Sequence, residues 1–264
     1  MTARGPGGLI FDDVPSLYDR YRPGYPDRAA AALVELAQLR DGSKVLEVGA
    51  GTGQLTTALV DRGLIVTALE PGARMAALLR RKLAPFPSAT VVVARLEDAG
   101  SFDVSFDAVI SATAFHWVDP DRRYALAGQV LRDRGSLALI RNDHALSPQS
   151  EAYYRGVAPI YERLAPEMGP PYAPPPEREI PGLRDEIVAS GVFELVDERQ
   201  FAWNEEYAAS ALIGLLRTYP QHRQMPSARR RTLLGEIRRF VEEELGDRFV
   251  DRYVTTVCVG RKRT

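Results

Sequence analysis

Three glycines at alternate positions, Gly49, Gly51 and Gly53, carry the strongest chemical signal in the chain. They follow Val45-Leu46-Glu47-Val48, an apolar run broken by one acid, and precede a helical pattern opening with Leu55 and Leu59. A strand that turns through glycines into a helix lets a ligand lie against bare backbone beside the helix N-terminus. Two phosphate-cradling patterns are excluded. A Walker loop ends in Gly-Lys-Ser/Thr, and no lysine stands here. The dinucleotide fingerprint requires glycine where Gln54 or Thr56 stands. What is left is Glu-x-Gly-x-Gly-x-Gly, with Glu47 two residues ahead of the first glycine. Glu70 lies about 20 residues beyond the turn, where an acid ending a second strand accepts hydrogen bonds from ribose hydroxyls. The competing role, an N-cap for the next helix, suits glutamate less well. His116, His144 and His222 are the three histidines, with unperturbed pKa values near neutrality, so any general base is sought among them.

These residues need elements to hold them. Leu64–Leu69 reads as a second strand ending at Glu70, followed by Pro71-Gly72 and a helix carrying Met75, Leu78 and Leu79. Ala89–Ala94 is a third strand leading into Arg95-Leu96-Glu97-Asp98, and Phe106–Ser111 a fourth leading into Ala112-Thr113-Ala114-Phe115-His116-Trp117. Asp119-Pro120 reads as the N-cap and first position of the helix carrying Tyr124 and Ala127. Gly135–Ile140 is a fifth strand, ending at Arg141-Asn142-Asp143-His144. Strands alternating with helices imply an α/β fold whose ligand lies where strands one and four part. The loop bearing His116 therefore shares a crevice with the glycine turn.

The flanks are less regular. Residues 1–11 are Gly/Pro-rich and read as flexible. Tyr18 to Pro26 either packs on the helix that Pro26-Asp27 begins or covers the ligand. Nine of the 19 prolines fall between Pro148 and Pro181, among Tyr153, Tyr154, Tyr161 and Tyr172. That stretch is either a disordered linker or a partly helical insertion over the strand ends, and aromatics at this density favour the insertion. Phe193–Trp203 reads as a sixth strand, Tyr207–Thr218 as a helix and Tyr219–His222 as a break. Ser227 is expected to cap a long helix through Leu245, and Tyr253–Arg261 to close the sheet. Arg229–Arg231 and Glu242–Glu244 read as solvated faces.

Bulk properties narrow the partners. A net charge of −1 provides no global attraction to nucleic acid or anionic membrane. The single Cys258 excludes an intrachain disulfide and a multi-cysteine zinc site, and no metal site is expected. The uncharged stretch Ala108–Val118 is too short to span a bilayer, and the N-terminus lacks a signal pattern. A cytoplasmic soluble protein is expected.

The glycine turn, the acid after strand two, the acidic stretch after strand three and Phe115-His116-Trp117 after strand four appear in the order seen in class I S-adenosylmethionine-dependent methyltransferases. The chain resembles in particular the type 11 methyltransferase domains of small-molecule enzymes related to trans-aconitate methyltransferase. The resemblance implies a Rossmann-like, seven-stranded, mostly parallel sheet with an antiparallel last strand, helices on both faces and a helical lid. As one domain it would comprise an N-terminal cap (1–39), a cofactor core (40–145), lid segments (146–190 and 205–249) and closing strands (191–204 and 250–264). The cofactor implied is S-adenosylmethionine, held by Tyr18, Arg22, Glu47, Gly49, Ala50, Gly51, Thr52, Gly53, Glu70 and Pro71. Met75, Arg95, Leu96, Glu97, Ser111 and Ala112 complete that set, with Met75 and Leu96 sandwiching adenine. Arg95 departs from the family, which often has Asp there. Acceptor contacts are expected from His116, Trp117, Arg141, His144, Tyr172 and His222, with His116 the candidate base.

The partner expected is a small molecule, of the kind methylated in specialised-metabolite biosynthesis, rather than nucleic acid or membrane. The Asp/Asn-Pro-Pro-Tyr motif of enzymes acting on bases and protein amides is absent. Pairing of two copies as a homodimer stays open. Two other classes share the glycine turn: a protein that binds the cofactor without methyl transfer, and a nucleotide-binding Rossmann protein, which the glycine spacing disfavours.

Overall fold

Both parities of the strand sequences are apolar, which requires a sheet covered on two faces. In the computed structural model, which describes residues 9–98, 105–168 and 173–264, the alternation is resolved strand by strand. Val45, Ala108, Ile110, Ala138 and Val257 enter one core, and their neighbours Leu46, Val109, Leu137, Leu139 and Cys258 enter the other.

The described chain runs α1 (Pro15–Tyr21), α2 (Asp27–Leu36), β1 (Lys44–Val48), α3 (Thr56–Val60), β2 (Ile65–Leu69), α4 (Ala73–Leu83), β3 (Ala89–Val92) and β4 (Phe106–Ala112). It continues α5 (Arg123–Val130), β5 (Leu131–Ala145), α6 (Pro148–Leu164), α7 (Arg184–Ala189), β6 (Phe193–Tyr207), α8 (Ala209–Leu216), α9 (Pro220–Arg223), α10 (Ser227–Glu244) and β7 (Phe249–Lys262). The sheet order is β3-β2-β1-β4-β5-β7-β6. Pairings from β3 through β5 are parallel, and β7 runs antiparallel between β5 and β6. Helices α2, α3 and α4 cover one face, and α5 and α7 the other. This is the expected seven-stranded, mostly parallel sheet with an antiparallel last strand.

Several local expectations are corrected. Leu9–Phe11 forms a 3-10 turn within the stretch read as flexible, and residues 1–8 lie outside the described residues. Helix α3 starts at Thr56, one residue past the Leu55 that opens the helical pattern and here serves as its N-cap. Asp119-Pro120 does not head α5, whose N-cap is Arg122; the Asp119 carboxylate instead accepts from the Asp121 amide. Ser227 is the first residue of α10 and makes no side-chain cap. Arg229 and Arg230 are not wholly solvated: each donates to a backbone carbonyl, of Leu164 and Arg223 respectively.

The largest difference lies in β5 and β7. Both outrun the parallel sheet, so that Asn142 pairs with Thr255, His144 with Tyr253 and Ala145 with Arg252. The polar run Arg141–His144 reads as a loop in sequence because it carries no apolar face. It is held as strand by a long antiparallel partner.

The proline-rich insertion is partly helical, as expected. Ser147 caps α6 through a reciprocal pair with Ser150, and Pro148 occupies its first turn, where a missing amide costs nothing. Tyr153, Val157 and Tyr161 then share one face by their four-residue spacing. With Leu212 and Leu215 of α8, Leu233, Ile237 and Val241 of α10, and Phe249 and Tyr253 of β7, they form a third core beyond the sheet's edge.

Helix α1 docks onto α8 at Gly214, where a Cβ would fall 2.5 Å from the Tyr21 ring. Gly214→Ala must displace that ring, and overpacking of this kind costs roughly 1–3 kcal/mol. The urea midpoint should fall with the m-value unchanged, and amide exchange in α1 should quicken. An unaltered midpoint and exchange pattern would show that α1 does not depend on this contact.

Candidate active site

The glycine turn is fixed from two sides. The amides of Gly49 and Ala50 both donate to the Leu69 carbonyl at 2.9 Å, folding the turn against the end of β2. Glu70 completes the link: its Oε2 accepts from the Gly51 amide and its Oε1 from the Gly72 amide, each at 2.8 Å. Gly49 and Gly51 have φ of +73° and +61°, which side-chain-bearing residues adopt at a cost. A Cβ on Gly49 would also sit 2.4 Å from that of Ala114, so the loop after β4 closes on this glycine. Burial raises the Glu70 carboxyl above the usual range, and the two amides oppose the shift.

Glu47 is 1 % exposed, and neither of its carboxyl oxygens has a hydrogen-bond partner. The hydroxyl of neighbouring Thr56 is also unpartnered. Burial pushes the Glu47 pKa up to about 8, opposed by Thr56 and reinforced by the Glu70 charge. An uncompensated ionised carboxylate costs several kcal/mol to bury, so the ligand-free protein holds Glu47 protonated at neutral pH.

The N-terminal segment covers this region. Asp12 accepts from the Arg74 and Met75 amides, serving as a distant cap for α4. Phe11 meets Tyr18 and Trp117 edge-on, at centroid distances of 5.5 and 6.0 Å. Arg22 donates through Nε to the Thr218 hydroxyl at 2.9 Å, and its guanidinium lies 4.5 Å from the Tyr219 ring centroid.

Three communicating cavities lie around these residues. The first, about 290 Å³, runs between the glycine turn, Glu70, Pro71, Met75, Arg95, Leu96 and Glu97. The second, about 70 Å³, adjoins it at Tyr18, Arg22, Gly49, Gly51 and Ala112 and contains Glu47 and Ala50. Thirteen of the residues expected on the cofactor, from Tyr18 to Ala112, thus line one continuous cleft. Three do not. The Thr52 side chain is buried against Gln54, Gly53 packs beneath Leu79, and the Ser111 hydroxyl turns inward to the Val48 carbonyl.

The expected acceptor residues separate. His116 and Trp117 line the first cavity beside Leu96 and Val118, with burial and Arg123 lowering the His116 pKa. Arg141 is tied to Asp143 and the Pro181 carbonyl and lines a cavity behind the loop after β4. Tyr172 lies outside the described residues. His144 and His222 line the third cavity, of about 440 Å³, under α6, α8 and α9. Burial pushes the His222 pKa down to about 4, and its Nε2 meets the Tyr161 hydroxyl at 2.8 Å.

The third cavity also gathers Tyr153 and Tyr154 of the insertion expected over the strand ends, and Tyr219, Phe249 and Asp251, which sequence reasoning did not place in a site. The third cavity shares Arg22, Asn142, His144 and Tyr219 with the second, so it opens onto the cleft beside Glu47.

Comparison with known proteins agrees with this architecture. Residues 46–139 match the family model described as a methyltransferase domain. An uncharacterised methyltransferase of Mycobacterium tuberculosis is 32% identical over 88% of this chain and 86% of its own length. A protein provisionally named a type II methyltransferase, from Anaeromyxobacter dehalogenans, superposes with a TM-score of 0.61 at 25% identity, covering 91% of this chain and 98% of that one. A Haemonchus contortus phosphoethanolamine N-methyltransferase, solved with S-adenosylhomocysteine, shares the fold at a TM-score of 0.51 and 16% identity, covering 96% of this chain and 58% of that one. With its glycine turn, its seven-stranded sheet and these relatives, the chain belongs to the class I S-adenosylmethionine-dependent methyltransferases.

Proposed function

We propose that the chain transfers a methyl group to a small molecule seated in the third cavity. The observation that carries this reading is the shared wall: Arg22, Asn142, His144 and Tyr219 border both the cleft beside the glycine turn and the aromatic cavity. The residues present suit S-adenosylmethionine. Glu47 supplies a buried acid without a partner, matched to an ammonium group, and Glu70 has lone pairs beyond those taken by Gly51 and Gly72. Met75 and Leu96 offer apolar walls for an adenine ring, and Gly51 leaves room for close approach. When bound, the cofactor supplies a methyl carbon already activated by its sulfonium charge.

The chain's own residues then have three tasks. Glu47, Glu70 and the glycine turn fix one reactant, and the third cavity fixes the other, which replaces a bimolecular encounter by an oriented one. Phe11, Tyr18 and Trp117 exclude water from the cleft. His116 lines the first cavity rather than the third, so we assign it to the cofactor side and not to the acceptor.

Gly51→Val tests the seat. A Cβ there would point into the cleft, 3.7 Å from Tyr18 and 3.8 Å from Met75, and the positive φ costs roughly 1–2 kcal/mol more. Calorimetry should show S-adenosylmethionine affinity lost by about 100-fold or more, with far-ultraviolet circular dichroism retained. Wild-type affinity would refute the site.

Glu47 gives a second test through protons. With a folded pKa of about 8, the side chain is protonated at pH 7. A bound ammonium favours the carboxylate, lowers that pKa and expels the proton. Calorimetry at pH 7 in buffers of different ionisation enthalpy should detect release of close to one proton per cofactor bound. Glu47→Gln should bind more weakly and lose that release; wild-type binding without it would contradict the pairing.

A further inference from the structure

Methyl transfer to a carboxylate requires no base, yet the third cavity contains a buried acid aligned on a histidine. His144 of β5 pairs with Tyr253 of β7, and Asp251 lies two residues earlier on β7, diagonal to His144. The His144 Nδ1 is 2.8 Å from Asp251 Oδ2, and its Nε2 is 3.1 Å from the Tyr219 hydroxyl. Asp251 is 2 % exposed, and Tyr154 donates to its other oxygen at 3.4 Å. A carboxylate only accepts, so it assigns the imidazole proton to Nδ1 and leaves the Nε2 lone pair facing Tyr219. Burial, partly offset by Arg22, pushes the Tyr219 pKa up to about 12, so its hydroxyl keeps a proton to donate. Tyr219 also borders all three cavities, at the point where the cleft meets the acceptor space.

We propose that Tyr219, His144 and Asp251 form a proton relay that ionises an acceptor hydroxyl, making the chain an oxygen methyltransferase for a phenol on a flat apolar body. The inference rests on the third cavity being the acceptor site. As the acceptor O–H bond breaks, its proton passes to the Tyr219 oxygen while the Tyr219 proton passes to His144 Nε2. The freed electron pair forms the oxygen–methyl bond, and the carbon–sulfur bond of the methyl donor breaks with its pair left on sulfur. Asp251 balances the imidazolium, which then loses its proton to water.

The cavity walls agree with the acceptor class. Tyr153, Tyr154, Tyr161 and Phe249 supply aromatic faces, with Leu212 and Leu215 beside them. Among the described residues, Arg22 is the only lysine or arginine lining the cavity, and it is engaged by Thr218. His222 is neutral at pH 7. A phosphate or polycarboxylate tail finds no cluster of positive charge here.

The probe is 4-nitrophenol, whose phenolate absorbs at longer wavelength than the phenol. Titrated into the full chain without methyl donor, slightly below the dye's own pKa, wild type should bind it with an enriched phenolate band. His144→Gln and Asp251→Asn should bind with affinity within about twofold but without the enrichment, because asparagine can donate to Nδ1 and reverse the tautomer. Binding of dye and S-adenosylhomocysteine in both variants verifies their fold. With S-adenosylmethionine added, kcat for O-methylation should fall roughly 100-fold or more in both variants, KM staying near wild type. A wild-type phenolate band surviving in His144→Gln would overturn the relay while leaving the acceptor site intact. Failure of the dye to bind, or binding indifferent to Leu212→Trp, which fills the cavity, would overturn the acceptor site and the relay together.

Discussion

One carboxylate holds the two halves of the cofactor cleft in register. Glu70 accepts the amides of Gly51 and Gly72, tying the turn after β1 to the start of α4 across the end of β2. Hydrogen bonds to a charged group contribute roughly 1.5–3 kcal/mol each, enough to hold a glycine-rich turn that has little packing of its own. Without that link, Gly51 has no reason to keep its left-handed conformation, and the cleft loses its floor. The same acid lines the cleft, so the side chain that ties the turn is also the one we propose to meet the ribose.

The rest of the site is built outward from this link by burying polar groups where few compensations exist. Glu47 lies in β1, inside the sheet, without a hydrogen-bond partner, a costly arrangement for an ionised carboxylate. Asp251 is equally inaccessible but fully engaged, by His144 and Tyr154. The contrast separates two compartments: one with an unpartnered acid, the other with an acid hydrogen-bonded through both oxygens and lined by tyrosines. Their common wall, Arg22 and Tyr219, is drawn from segments nearly 200 residues apart and fastened through Thr218.

The sequence shows the first compartment more clearly than the second. Glycines at φ above +60° and an acid ending β2 leave local marks, because backbone conformation restricts residue type. The continuous apolar strands likewise announce a doubly covered sheet. The aromatic compartment leaves no such trace. Arg141–His144 is polar and resembles a loop, yet is strand because β7 pairs with it. Asp251 lies ahead of the run read as the closing strand, so its alignment with His144 emerges only from the register of two long antiparallel strands. His116 is the opposite case: its loop does face the crevice, and it lines the first cavity and not the third.

A crystal structure of the chain soaked with S-adenosylhomocysteine measures the central claim most directly. The account requires the ribose hydroxyls within hydrogen-bonding distance of Glu70, the ammonium group beside Glu47, and the sulfur directed toward Tyr219 and the third cavity. A ligand lodged elsewhere, or one that leaves both carboxylates untouched, would contradict it.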